Sequence, residues 1–97
     1  MTLVASTLEL KGRFLWDSRF FSLIPTADGG GLTLLTFANE EAATAGARPQ
    51  SSRRVRSMHD IPDRAGMRQN RFDLVIYPGD KLVALAAGSA ADKAEWL

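Results

Sequence analysis

The sequence predicts a mainly β fold, an antiparallel roll or barrel closed by a single C-terminal helix. Three observations carry this prediction. Short runs rich in β-branched, aromatic and leucine residues recur between turn signals. The connections between the first three and the last two runs are too short for parallel crossovers. The last ten residues, "GSAADKAEWL", change to helix formers behind a serine.

The elements follow in order. "STLELKGRFLW" alternates weakly, with Leu8 and Leu10 on one face, and predicts a strand turning near Gly12. "WDSRFFSL" continues to Ile24 as a second strand and stops at Pro25. Strand alternation places Asp17, Arg19, Phe21 and Leu23 on one face of it. Phe21 and Leu23 are then core residues, and Asp17 and Arg19 are expected to form an ion pair at its wet end. "TADGGG" is a turn, and "LTLLTF" (32–37) is a third strand. "ANEEAATAGARPQSS" is small and polar and predicts a long loop with helical turns around 40–45. "RRVRSMHDI" (53–61) predicts a strand with its basic residues outward, and "PDRAGMRQN" a turn region. "RFDLVIY" (71–77) and "KLVALAA" (81–87) form a hairpin across "PGD", with Pro placed early as a type II turn prefers. In the final segment Ser89 is the expected N-cap. A helix of about two turns is unstable alone, so it must dock, with Trp96 as the anchor.

Composition narrows the function. With 97 residues, 45% of them apolar and 24% charged, the chain suits one small globular domain. No cysteine is present, which removes disulfides, thiolate chemistry and most structural zinc sites. No apolar run approaches the roughly 20 residues of a membrane span, and the opening "MTLVASTLEL" lacks the basic flank and long apolar stretch expected of a signal peptide. An intracellular location, with no cofactor and no transmembrane segment, is expected. Net charge is only +1, yet residues 48–71 hold seven arginines against Asp60 and Asp63, a local excess of +5. Such a patch suits an acidic protein partner or an anionic surface. Nucleic acid is not expected, because aromatics are not interleaved with the arginines. Catalysis is not expected either. His59 stands alone, its neighbour Asp60 faces the other side of a strand, and neither a P-loop nor a nucleophile elbow is present.

Two stretches together resemble a known family. "KGRFLWDSRFFSL" is similar to the opening of a pleckstrin homology (PH) domain, with a basic residue ending strand one and an aromatic–aromatic–x–Leu in strand two. "RFDLVIYPGDKLVALAAGSAADKAEWL" is similar to that family's closing hairpin and helix, with Trp96 in the place of its near-invariant tryptophan. The resemblance covers about residues 5–37 and 71–97. It implies a PH-like, seven-stranded, bent β-roll of two antiparallel sheets capped by one C-terminal α-helix. The fourth strand would fall within residues 38–52. It also implies a single domain over residues 1–97, excised from a larger protein, working as a non-catalytic targeting or docking module. Its partner would be a protein, with at most weak anionic-lipid binding.

The alternative implied by the same resemblance is phosphoinositide binding at the mouth of the roll. Lys11 and Arg19 match the family's basic positions, and Arg13 lies in the loop between them. Asp17 departs from the pattern, standing where a basic residue belongs and able to neutralise Arg19. A broader rim of Lys11, Arg13, Arg53, Arg54 and Arg56 would attract anionic lipid. Phe14 and Leu15 are more simply expected to pack in the core or within the loop than to enter a membrane.

Overall fold

A computed structural model describes residues 2–77 and 79–97. Six strands, β1 (Val4–Lys11), β2 (Trp16–Pro25), β3 (Leu32–Phe37), β4 (Ser51–Asp60), β5 (Arg71–Tyr77) and β6 (Lys81–Ala86), form one closed antiparallel barrel. Two helices complete it, α1 (Glu40–Thr44) between β3 and β4, and α2 (Ala90–Trp96) at the C-terminus. Each strand pairs with the next, and β1 closes the ring on β6 through Glu9↔Ala86 and Leu10↔Leu85.

The mainly β architecture and the capping helix agree with the sequence reading. The strand count differs. Among the described residues there are six strands in one closed sheet, not seven in two. The segment in which the resemblance put a fourth strand carries α1, as the helical turns expected around 40–45 had it, and β4 begins only at its end, at Ser51. Asn39 starts that helix by accepting the Ala42 N–H at 2.8 Å. "EEAAT" has no apolar alternation with which to enter a sheet. The ring then closes without a further strand, because the ten-residue β4 pairs with both β3 and β5 and bends at a bulge between Val55 and Ser57. The type II turn expected over 78–80 involves Pro78, which lies outside the described residues. Gly79 and Asp80 both have positive φ, 93° and 51°.

Alternation fills the barrel. Leu8, Phe21, Leu23, Leu34, Phe72, Leu74 and Leu85 are all buried in one cluster. The strand faces are those expected, since Phe21 and Leu23 are 1% and 4% exposed. On the outer wall α1 lies against β2 and β3, where the rings of Phe20 and Phe37 sit 6.4 Å apart. Helix α2 plugs one end. Ser89 Oγ accepts the Asp92 N–H at 3.1 Å, and Trp96 is 3% exposed with its ring 5.9 Å from that of Phe72. Its Nε1–H donates to Ser6 Oγ at 2.8 Å, which satisfies the one polar atom of the anchor. Lys93 ties the helix to the end of β4 through Asp60 (2.6 Å) and the Ile61 carbonyl (2.9 Å).

Candidate functional site

In an up-and-down barrel alternate connections share an end. The β1–β2 turn, the α1 segment and the β5–β6 turn therefore lie at one end, which is left open. The β2–β3 and β4–β5 connections lie at the other, with α2. The open end is a mouth cavity of about 330 Å³. Lys11 of β1, Arg53 of β4 and Lys81 of β6 reach it from three strands, with Thr36 and Ser51 on its wall. Its floor is apolar, made by Phe21, Leu34 and Ile76.

The β1–β2 ribbon stands out beside this mouth. Strand β2 pairs with β3 only from Phe20 onward, so Trp16–Arg19 are held by β1 alone. Gly12 donates its N–H to the Leu15 carbonyl at 2.8 Å and closes a tight turn. A Cβ at Gly12 would meet that oxygen at 2.9 Å, so glycine keeps the turn narrow. Phe14 is 89% exposed and Leu15 72% exposed, which overturns the expectation that they pack in the core or within the loop. Arg13 is exposed between them and Lys11.

Ion pairing sorts the cations by position. Arg54 lies 3.8 Å from Asp28 of the β2–β3 turn, at the far end, and Arg56 pairs with Asp80 at 2.8 Å. Arg68 pairs with Glu9, Arg71 lies 3.5 Å from Asp73, and Lys93 holds Asp60. Among the described residues Lys11, Arg13, Arg53 and Lys81 have no carboxylate partner within 4.0 Å. Two residues of the expected rim are ion-paired within the domain. Arg54 is drawn away to Asp28, and Arg56 is neutralised by Asp80 on the outer side of β4. Arg53 faces the barrel rather than outward, as its alternation with Val55 requires. Its Nη1 also donates to the Ser52 carbonyl at 3.1 Å.

Arg19 and Asp17 do not form the expected ion pair. Arg19 Nη1 turns instead to the Ser18 carbonyl at 2.8 Å. Arg19 is half-buried, one position beyond the last β2–β3 rung, and does not line the cavity. Lys81 is the cation that the sequence reading missed. Its alternation with Val83 and Leu85 carried the signal, since residues at that spacing share the barrel-facing side.

Elsewhere, Asp28 is held below its ordinary value of 3.8. The first cause is the Thr26 hydroxyl at 2.5 Å, then the Gly30 N–H at 2.8 Å, then the charge of Arg54. A second cleft, about 560 Å³, runs along the outer wall past Glu9, Trp16 and residues 67–70. Arg68 and Arg71 lie over the Trp16 ring at 5.4 and 5.9 Å and pack its rim with paired charge. His59 is exposed and its Nε2 sits 2.9 Å from Ser57 Oγ, while Asp60 turns to Lys93. No cluster of three metal-ligating side chains occurs among the described residues. No described helix is long and apolar enough to cross a membrane.

No protein-family model and no curated protein matches this chain. Among solved structures it is similar to the C-terminal PH domain of pleckstrin, in complex with D-myo-Ins(1,2,3,4,5)P5. The TM-score is 0.69 at 19% identity, over 99% of this chain and 90% of that one. Barrel, open mouth and plugging helix together give this chain the fold of a pleckstrin homology domain.

Proposed function

We propose that this is a non-catalytic docking module that rests its open end on an anionic membrane surface. The observation that carries the reading is the juxtaposition at that end. Lys11, Arg13, Arg53 and Lys81 have no carboxylate partner there among the described residues, and the exposed Phe14 and Leu15 project beside them. Cations near an anionic surface contribute about 1 kcal/mol each, and they act over roughly a 10 Å screening length. Burying an apolar side chain such as Phe14 in the interface adds about 1.5–3 kcal/mol. A pleckstrin domain of the same fold is known with an inositol polyphosphate, which makes phosphorylated headgroups the ligands to try first. A high-affinity pocket for one headgroup is less well supported, because Asp17 occupies a position where that mode calls for a cation. An acidic protein partner is also less well supported, because Arg54, Arg56, Arg68 and Arg71 are already paired within the domain.

Vesicle co-sedimentation tests this. Phosphatidylserine vesicles, with and without added phosphoinositide, should retain the protein at low salt and release it as salt rises. Phe14→Asp should abolish retention. Absence of retention at low salt on both kinds of vesicle would refute the reading.

A further inference from the structure

We propose that the free edge of β1 takes up an extended, positively charged peptide segment as an added strand. The edge is a consequence of how the barrel closes. Strand β1 is paired with β2 from Val4 to Lys11, but with β6 only at Glu9 and Leu10. Beyond that point β6 ends at Ala86 and the chain turns into α2. Residues 4–8 therefore have a strand on one side only. Helix α2 meets this stretch on the inner face, where Trp96 bonds to Ser6, and Ala5 and Thr7 stay exposed.

The register decides which backbone groups are left over. Antiparallel pairs alternate between those that exchange hydrogen bonds and those that do not. The bond from the Gly12 N–H to the Leu15 carbonyl sets the phase. Leu10, Leu8, Ser6 and Val4 then bond to β2, whereas Glu9, Thr7 and Ala5 turn their N–H and C=O to the opposite side. Glu9 meets Ala86 there. Among the described residues Ala5 and Thr7 meet no backbone partner there. Natural strand edges are commonly blunted by lysine or proline. The stretch "VAST" (4–7) has neither, and its small side chains let another backbone approach.

Charge selects the occupant. A cleft of about 680 Å³ lies between Thr7 and α1, and its lining includes Glu40 and Glu41. Among the described residues neither carboxylate has a cation within 4.0 Å. A neutral strand would pair with the edge but leave this wall unused, and an acidic strand would be repelled by it. A strand with lysine or arginine at every second position meets both, because alternate side chains share the face of Thr7. Main-chain bonds then supply affinity and the alternate side chains selectivity. The mouth cations take no part, so this site is independent of the membrane reading.

Fluorescence anisotropy with a labelled, end-capped peptide of alternating lysine and valine tests the proposal. One control is a peptide of alternating glutamate and valine. The other is the lysine–valine peptide N-methylated throughout, which keeps the charge and removes the donors. The lysine–valine peptide should bind, one per domain, and both controls at least tenfold more weakly. Glu40→Gln combined with Glu41→Gln should weaken binding about tenfold or more. Thr7→Pro removes an N–H that no strand uses, which an edge position tolerates. It should abolish peptide binding and leave vesicle retention unchanged. If Thr7→Pro does not fold, amide hydrogen exchange in the wild type decides. The Ala5 and Thr7 amides should exchange fast in the free domain and become protected when the lysine–valine peptide is added. Either control peptide matching the lysine–valine peptide, or unchanged binding in a folded Thr7→Pro, would overturn the proposal. So would protection of Ala5 and Thr7 that rises with protein concentration alone, which would assign the edge to a second copy.

Discussion

Two tryptophans divide the work of this small barrel. Trp96 is the interior one, pressed on Phe72 and bonded to Ser6. Trp96→Ala should cost about 3–5 kcal/mol, a large share of the ~5–15 kcal/mol available to a domain, and urea unfolding measures it directly. Ser6→Ala leaves the ring in place but strands its buried N–H, so a smaller loss of about 1–3 kcal/mol is expected. Trp16 is the exterior one, half-buried beneath Arg68 and Arg71. The alternation of "WDSRFFSL" correctly assigns Phe21 and Leu23 to the core. It also puts Asp17 and Arg19 on a common face, but sharing a face does not make an ion pair. Arg19 turns to the Ser18 carbonyl instead, although the same i, i+2 spacing does bring Arg71 to 3.5 Å from Asp73 on β5.

At the level of elements, capping and turn chemistry could be read locally, whereas docking could not. Ser89 and Asn39 begin their helices as short polar side chains do in any fold. What holds α2 is Lys93, and its partners Asp60 and Ile61 lie over thirty positions away in sequence. Lys93→Met should destabilise the domain by about 1–2 kcal/mol. Asp60→Asn should cost less, because the bond to the Ile61 carbonyl survives. Thermal melts of the two variants make the comparison. The β2–β3 turn has a pH dependence of definite sign. Asp28 is held below 3.8 by Thr26, Gly30 and Arg54, so its charged form favours the turn. That contribution is fully present above the ordinary carboxylate value and fades as pH falls through the lowered one. An NMR titration of the Gly30 amide should report a midpoint below 3.8. Thr26→Ala should raise that midpoint more than Arg54→Ala does.

For the whole molecule, ion pairing divides the arginine-rich stretch that looks uniform in the sequence. Arg53 and Arg54 are adjacent, yet one lines the mouth and the other meets Asp28 near the opposite end. If the open end meets anionic vesicles, Lys81→Glu should sharply reduce retention and flatten its salt dependence. Arg56→Glu should change it little, because Arg56 is already neutralised by Asp80. The comparison needs only one vesicle composition and a salt series.

The sequence by itself determined what depends on neighbours in the chain: the strand faces set by alternation, the turns, the helix caps, and the tryptophan that a two-turn helix must bury. These features gave a β-roll with a capping helix, and the resemblance of both ends of the chain to a known family implied the PH fold. Tertiary structure alone decided the rest. Closure of β1 on β6 leaves six strands rather than seven. The two-stranded ribbon at Trp16–Arg19 holds Phe14 and Leu15 out in solvent. The strands also bring Asp28, Asp80, Glu9 and Asp73 to particular arginines while leaving Lys11, Arg53 and Lys81 around an open mouth. The physical reason is range. Propensity and periodicity act over a few residues, whereas the partner of a charge is set by which strands the barrel brings together.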